Sequence, residues 1–243
     1  MKKDRETEAP EDFDVHDLPS VAERRSKATP KTVPEAVLRR LPRYFRILRG
    51  LFNADILRVS SDELSSHLGI TASQLRQDMK YFDAEGQRGY GYSVKALYTS
   101  VSSLLGVSKK HTAAMVGAGN LGSAIASSMI LEQRGVWLKG VFDVKAALIG
   151  KTVAGVPVRD AAELPDFCSA NNIDILIICC DPGSAERAAE LASGTGVRGI
   201  WNFSQYELQS EKTGVPTENV CTGDSLMNLI YEMSGKNENK TQI

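Results

Sequence analysis

The stretch Ala114-Met115-Val116-Gly117-Ala118-Gly119-Asn120-Leu121-Gly122-Ser123-Ala124-Ile125-Ala126 constrains this chain more than any other. An apolar run enters a Gly-x-Gly-x-x-Gly turn, and small residues at helical spacing leave it. That is the layout of a strand, a tight turn and a helix whose N-terminus faces a pyrophosphate. Gly117 permits the turn, Gly119 lets backbone N–H groups approach phosphate, and Gly122 lets the helix pack on the strand. Gly117, Gly119, Asn120, Leu121 and Gly122 are therefore the expected nucleotide cradle, and the helix dipole favours the anion. Glycines at such a turn can be purely structural. The motif gains weight from Val141-Phe142-Asp143, an apolar run ending in an acid about 20 residues further on, where a ribose hydroxyl would be held.

The 243 residues suffice for two domains, and 42% of them are hydrophobic, enough for a sizeable core. No apolar run has the length of a membrane span, about 20 residues. The N-terminus is charged and has no apolar signal core. Cys168, Cys179, Cys180 and Cys221 lack metal-ligand spacing, and buried thiols in a reducing, cytoplasmic compartment are the expectation. The net charge of −1 hides an uneven distribution. Residues 31–95 carry eleven Lys/Arg against seven Asp/Glu, and acidic segments flank them. A locally basic segment suggests an anionic partner.

Residues 1–31 are polar and lack apolar periodicity, so a disordered tail is expected. Helical spacing then runs through Val37, Leu38, Leu41, Tyr44, Phe45 and Leu48, with Pro42 either kinking the helix or marking its true start. Ser60 and Glu63 make a capping box for a short helix that Gly69 ends. Thr71 and Gln74 make a second box, and Leu75, Met79 and Phe82 give the helix behind it a buried stripe. Two short helices joined by a glycine turn are a helix-turn-helix. Its second helix presents Ser73, Arg76, Gln77 and Lys80, a set suited to base edges and phosphates in a major groove. Any exposed helix shows such a solvated face, so the set gains its weight from the neighbouring segment. Gly86 to Val94 has alternating flanks about a Gly-rich turn and reads as a hairpin wing, with Arg88 at its tip for a minor groove or a phosphate.

These segments divide the chain into a tail over 1–31, a winged-helix domain over 32–95 and a connecting helix over 96–111. A Rossmann-type domain over 112–222 and a terminal helix with its tail over 223–243 complete it. Helices alternating with buried strands, such as Ile173 to Cys180, predict an α/β class with a doubly wound parallel sheet. The last helix, with Leu226, Leu229, Ile230 and Met233 on one face, could pack on its own domain or reach a second subunit.

The recognition helix Thr71 to Phe82, the wing Gly86 to Tyr92, the turn Gly117 to Gly122, Phe142-Asp143 and Asn202-Phe203 together resemble the Rex family of bacterial redox-sensing repressors. The resemblance covers about residues 34–235. It implies a homodimer with the C-terminal helix exchanged between subunits, seated on a palindromic double-stranded operator. It further implies that NADH binding releases the DNA while NAD+ competes and restores repression. Carried over, Arg76 and Lys80 lie on the recognition helix, Arg88 on the wing, the three glycines at the pyrophosphate and Asp143 at the ribose.

Several positions depart from the family pattern. Gln77 stands where a lysine is usual, which predicts a weaker salt dependence. On the expected nicotinamide side, Cys180-Asp181, Ser128 and Ser204 differ. They raise the alternative of a paralogue that keeps the operators but has lost or altered NAD(H) sensing. A dehydrogenase is a further alternative, but His16, His67 and His111 are not placed for acid–base work. A Rossmann module with a protein-binding winged helix is opposed by the Arg76, Lys80 and Arg88 set.

Overall fold

The computed structural model describes residues 33–82 and 90–238. The tail expected over 1–31 and the wing tip with Arg88 lie outside the described residues. The chain divides into two compact units, Met1–Lys109 and Lys110–Ile243.

In the first unit, α1 (Glu35–Leu38) is a single turn and α2 (Leu41–Asn53) carries Pro42 in its first turn. Pro42 therefore starts a helix rather than kinking one, because a first-turn N–H needs no intrahelical acceptor. A two-stranded ribbon, β1 (Arg58–Val59) against β2 (Tyr92–Ser93), brackets α3 (Ser61–Leu68) and α4 (Ala72–Asp78). The Ser60–Glu63 capping box closes in both directions, at 3.2 and 2.9 Å. Gly69 ends α3 at φ +62°, a left-handed conformation that costs glycine nothing. At the second cap Thr71 Oγ1 accepts the Gln74 N–H, and α4 then tightens into a 3-10 turn over Met79–Tyr81. Lys80 thus lies on that turn and not on the α-helix proper.

The expected connecting helix is α5 (Val94–Leu105), and it is a member of the N-terminal core. Its Leu97, Tyr98 and Val101 are buried with Tyr44, Phe45 and Leu48 of α2 and with Leu64, Leu68 and Leu75 of the helix-turn-helix. Tyr98 stacks on Phe52 and meets Phe45 at a tilt, at centroid distances of 5.4 Å to each. Each such buried side chain contributes about 1.5–3 kcal/mol, so α2 and α5 form the platform that holds α3 and α4.

The second unit is a seven-stranded sheet. Its strands are β3 (His111–Val116), β4 (Val136–Asp143), β5 (Thr152–Val153), β6 (Val156–Asp160), β7 (Ile175–Ile178), β8 (Gly199–Asn202) and β9 (Thr217–Asn219). The spatial order is β5-β6-β4-β3-β7-β8-β9, parallel throughout except for the β5–β6 hairpin. The chain winds one way from β3 through β4 to β6, then returns beside β3 with β7. The switch point between β3 and β7 is where such sheets open a ligand crevice at their strand C-termini.

The helices are α6 (Asn120–Ser127), α7 (Leu164–Ala170), α8 (Pro182–Ala192), α9 (Ser210–Thr213) and α10 (Thr222–Glu238). Helix α8 rests on the sheet through Ala185, Ala188, Ala189 and Ala192, whose small size lets it sit close. Strand β7 is shorter than the apolar run that announces it. Leu176 and Ile178 face the α7–α8 core and Ile177 the opposite one, as a doubly covered parallel strand requires. Among the described residues no helix is long and apolar enough to cross a membrane.

Candidate nucleotide cradle and nucleic-acid interface

The three motif glycines do three different things. Gly117 has φ +103°, and a Cβ there would lie 2.5 Å from the Cys179 carbonyl carbon, so only glycine makes this turn. A Cβ on Gly122 would lie 2.0 Å from the Gly117 oxygen and 3.3 Å from Met115 Sδ. Gly122 is therefore the packing contact between α6 and β3. A Cβ on Gly119 would meet nothing within 4 Å. Its role is to leave open the space in front of the α6 N-terminus, where the N–H groups of Asn120, Leu121 and Gly122 have no intrahelical acceptor. That opening fits an anionic group at the positive end of the helix dipole.

Asp143 ends β4 and is buried. Its Oδ2 accepts the Ala118 N–H at 2.8 Å and its Oδ1 accepts the Lys145 N–H at 2.9 Å. Two backbone donors fix the carboxylate beside the glycine turn and leave each oxygen a further lone pair for a ligand hydroxyl. Gly117, Gly119 and Asp143 line a crevice of about 340 Å³ at the switch point, with Val144, Lys145, Leu164 and Arg187. That is within the range of small-molecule sites, about 300–1,000 Å³. Asn120, Leu121 and Gly122 flank this cavity without lining it. A larger concavity of about 490 Å³ lies between α8 and α9, lined by Glu186, Glu190, Glu207 and Lys212 among others. Neither the glycine turn nor Asp143 reaches it.

Of the four departures expected on the nicotinamide side, Cys180 and Asp181 line the crevice. Cys180 is a protonated thiol at neutral pH, pushed up to about 11 by burial, with Asp181 and Asp143 adding to the effect. Cys179 is pushed up to about 12 by burial, and Cys180 beside it adds to the effect. The two thiols pack into cores on opposite faces of the sheet. Asp181 is occupied at the start of α8, where Ser184 Oγ donates to both its oxygens at 3.1 and 3.0 Å.

The other two do not line the crevice. Ser128 closes α6 by donating to the Ile125 carbonyl at 2.7 Å. Ser204 is only 3% exposed and donates its Oγ to Asn202 Oδ1 at 2.7 Å. It belongs to a polar knot in which Asn202 Nδ2 reaches Asn219 Oδ1 at 2.7 Å, tying β8 to β9.

In the first unit Ser73, Arg76, Gln77 and Lys80 are all exposed, while Leu75, Asp78 and Met79 between them are buried. One face of α4 and its 3-10 extension thus carries a hydroxyl, a guanidinium, an amide and an ammonium, a donor-rich set that suits base edges and phosphate. Arg88 falls outside the described residues. Among the histidines, His67 lies on α3 and His111 begins β3, at the end of the sheet opposite the crevice. His16 is outside the described residues.

Two family models match, one described as "Putative DNA-binding protein N-terminus" over residues 32–79 and one as "CoA binding domain" over residues 108–206. The redox-sensing transcriptional repressor Rex of Clostridium botulinum is 41% identical, over 84% of this chain and 96% of its own. The Rex repressor of Caldicellulosiruptor saccharolyticus is 43% identical, over 85% of this chain and 94% of its own. Among solved structures, RSP in complex with β-NAD+ and operator DNA is 41% identical with a TM-score of 0.79, covering 87% of this chain and 97% of that one. RSP in complex with β-NADH is 39% identical with a TM-score of 0.77, covering 88% of this chain and all of that one.

Proposed function

The chain belongs to the Rex family of redox-sensing transcriptional repressors, and we propose that it acts as a homodimer on a palindromic operator that NADH releases and NAD+ restores. One observation carries this reading. The same chain holds an exposed helix of base- and phosphate-reading side chains and an open glycine turn backed by a fixed carboxylate. Relatives solved with operator DNA and with either nucleotide supply both ligands for those two features.

In the output domain, Arg76 and Gln77 read base edges from the major groove, and Ser73 and Lys80 hold phosphates. Arg88 reaches DNA from the wing. In the sensing domain, the N–H groups of Asn120, Leu121 and Gly122 hold the pyrophosphate and Asp143 accepts a ribose hydroxyl. Gly117 and Gly122 shape that loop. The bound dinucleotide supplies no chemistry that the protein consumes. It is a signal, and what matters is the differential affinity of its two redox forms for the DNA-bound and free states. The chain acts in the cytoplasm, where both ligands are found. Among the described residues no histidine lines the crevice as a dehydrogenase reading would ask, and family membership favours a repressor.

The test is a DNA-binding titration. A palindromic duplex is selected from a random pool, and its complex with the full chain is followed by anisotropy as NADH is added. We expect NADH to lower the bound fraction and NAD+ to restore it in competition. A complex indifferent to both nucleotides would reinstate the paralogue that has lost sensing.

A further inference from the structure

Asp78 ends α4, and its carboxylate is 2% exposed. It does not face outward with Arg76, Gln77 and Lys80. Instead Arg40 grips it with a fork, Nε to Oδ2 at 2.9 Å and an Nη to Oδ1 at 2.7 Å. Tyr44, fully buried one turn further along α2, donates its hydroxyl to Oδ2 at 3.0 Å. The Tyr44 ring also meets Phe82 edge-on at 5.1 Å, just past the 3-10 turn. Arg43, on the same helix, brings its guanidinium over the Gly69 turn, 3.3 Å from where a Cβ would stand. Arg40 and Tyr44 thus hold the helix-turn-helix at the end of α4, and Arg43 lies against its turn.

We infer that Asp78 is a positioning residue for operator recognition, setting the rotation and depth of α4 through a directed clasp to Arg40 and Tyr44. The clasp's chemistry explains why it acts on pose. Leu75 and Met79 supply apolar burial, which is non-directional and tolerates a helix rolling about its axis. A bidentate guanidinium–carboxylate pair does not, because both N–H···O vectors must be met together. A burial-compatible apolar pair here would stabilise the fold about as well. The buried ion pair therefore contributes geometry, and the exposed faces of Arg76 and Gln77, on the same helical turn, inherit it.

This inference rests on the proposed role of α4 in DNA reading, and the experiment separates the two. Operator and random-sequence duplexes are titrated across a salt series with the full chain and three variants, Asp78→Asn, Arg40→Lys and Arg76→Ala, with thermal melts alongside. Arg40→Lys keeps the charge and loses the fork. We expect it and Asp78→Asn to cut the operator-to-random affinity ratio about tenfold, with random-DNA affinity and its salt slope held. A purely structural Asp78 would instead lower both affinities in parallel with the melting temperature. An unchanged ratio in folded Arg40→Lys overturns the inference, whether or not Asp78→Asn folds. An unchanged ratio in Arg76→Ala overturns the recognition-helix reading itself.

Discussion

Arg76 and Lys80 are four residues apart and both exposed, yet different outcomes are expected from removing them. Arg76 is on the α-helix, where a guanidinium can hold a guanine edge bidentately. Arg76→Ala should cost about 1–3 kcal/mol of operator binding and relax preference at one base pair. Lys80 is on the 3-10 turn beyond the helix end, and its ammonium is a point charge. Lys80→Ala should weaken all sequences alike and reduce the salt slope by about 1. Anisotropy titrations on operator and single-base variants check both, and a Lys80→Ala variant with altered base preference would reverse the assignment. These exposed residues were legible in the sequence, because Thr71 sets the helix start and Leu75 and Met79 set the buried stripe. Asp78 was not, since its partners Arg40 and Tyr44 lie 38 and 34 residues away and no local pattern pairs them.

Elements with a local signal were read well and elements without one were missed. The cap at Ser60, the first-turn Pro182 and the left-handed turn at Gly69 announce their helices chemically. Strand β9, Thr217-Glu218-Asn219, has no apolar alternation and exists because β8 offers it a parallel edge and Asn219 bonds Asn202. Helix α9 is four residues long and has no apolar stripe to announce it. The glycine turn is legible as a motif, but only geometry separates its three glycines, and that separation yields a prediction. Gly119 has an ordinary backbone conformation and an open Cβ direction. Gly119→Ala should therefore fold normally, and the loss of unfolded-chain entropy could even stabilise it by about 0.4–1 kcal/mol. Its methyl group, however, projects where a pyrophosphate must approach, so NADH affinity should fall at least tenfold, as calorimetry will read. Gly117→Ala should instead lower the melting temperature, because its Cβ overlaps the Cys179 carbonyl and its φ is unsuited to alanine. Normal NADH binding by Gly119→Ala would remove the cradle from the glycine turn.

At the scale of the molecule, the second unit leaves apolar surface in two places. Helix α10 is 17 residues long, and its Leu226, Met227, Leu229, Ile230, Tyr231 and Met233 are all more than half exposed. A helix of that length is marginal in water without a packed face. The sheet face under α6 is also incompletely covered, because α6 has only eight residues and leaves Trp201, Phe203 and Cys179 partly exposed, with Leu121, Met129 and Ile130 exposed nearby in sequence. In the proposed homodimer, reciprocal packing of α10 from a second copy would cover both surfaces at once and close as a two-fold dimer. That pairing would give the proposed sensing a route to the DNA, since a ligand that changed how two copies meet would change the spacing of two recognition helices on one palindrome. Leu229→Asp with Ile230→Asp places two carboxylates on that face without touching either domain core. Sedimentation should then report a monomer. Operator affinity should fall toward that of a single half-site, while NADH still binds the isolated cradle. A variant that remains dimeric would assign the pairing surface to another part of the chain, and a monomer with undiminished operator affinity would separate repression from dimerisation.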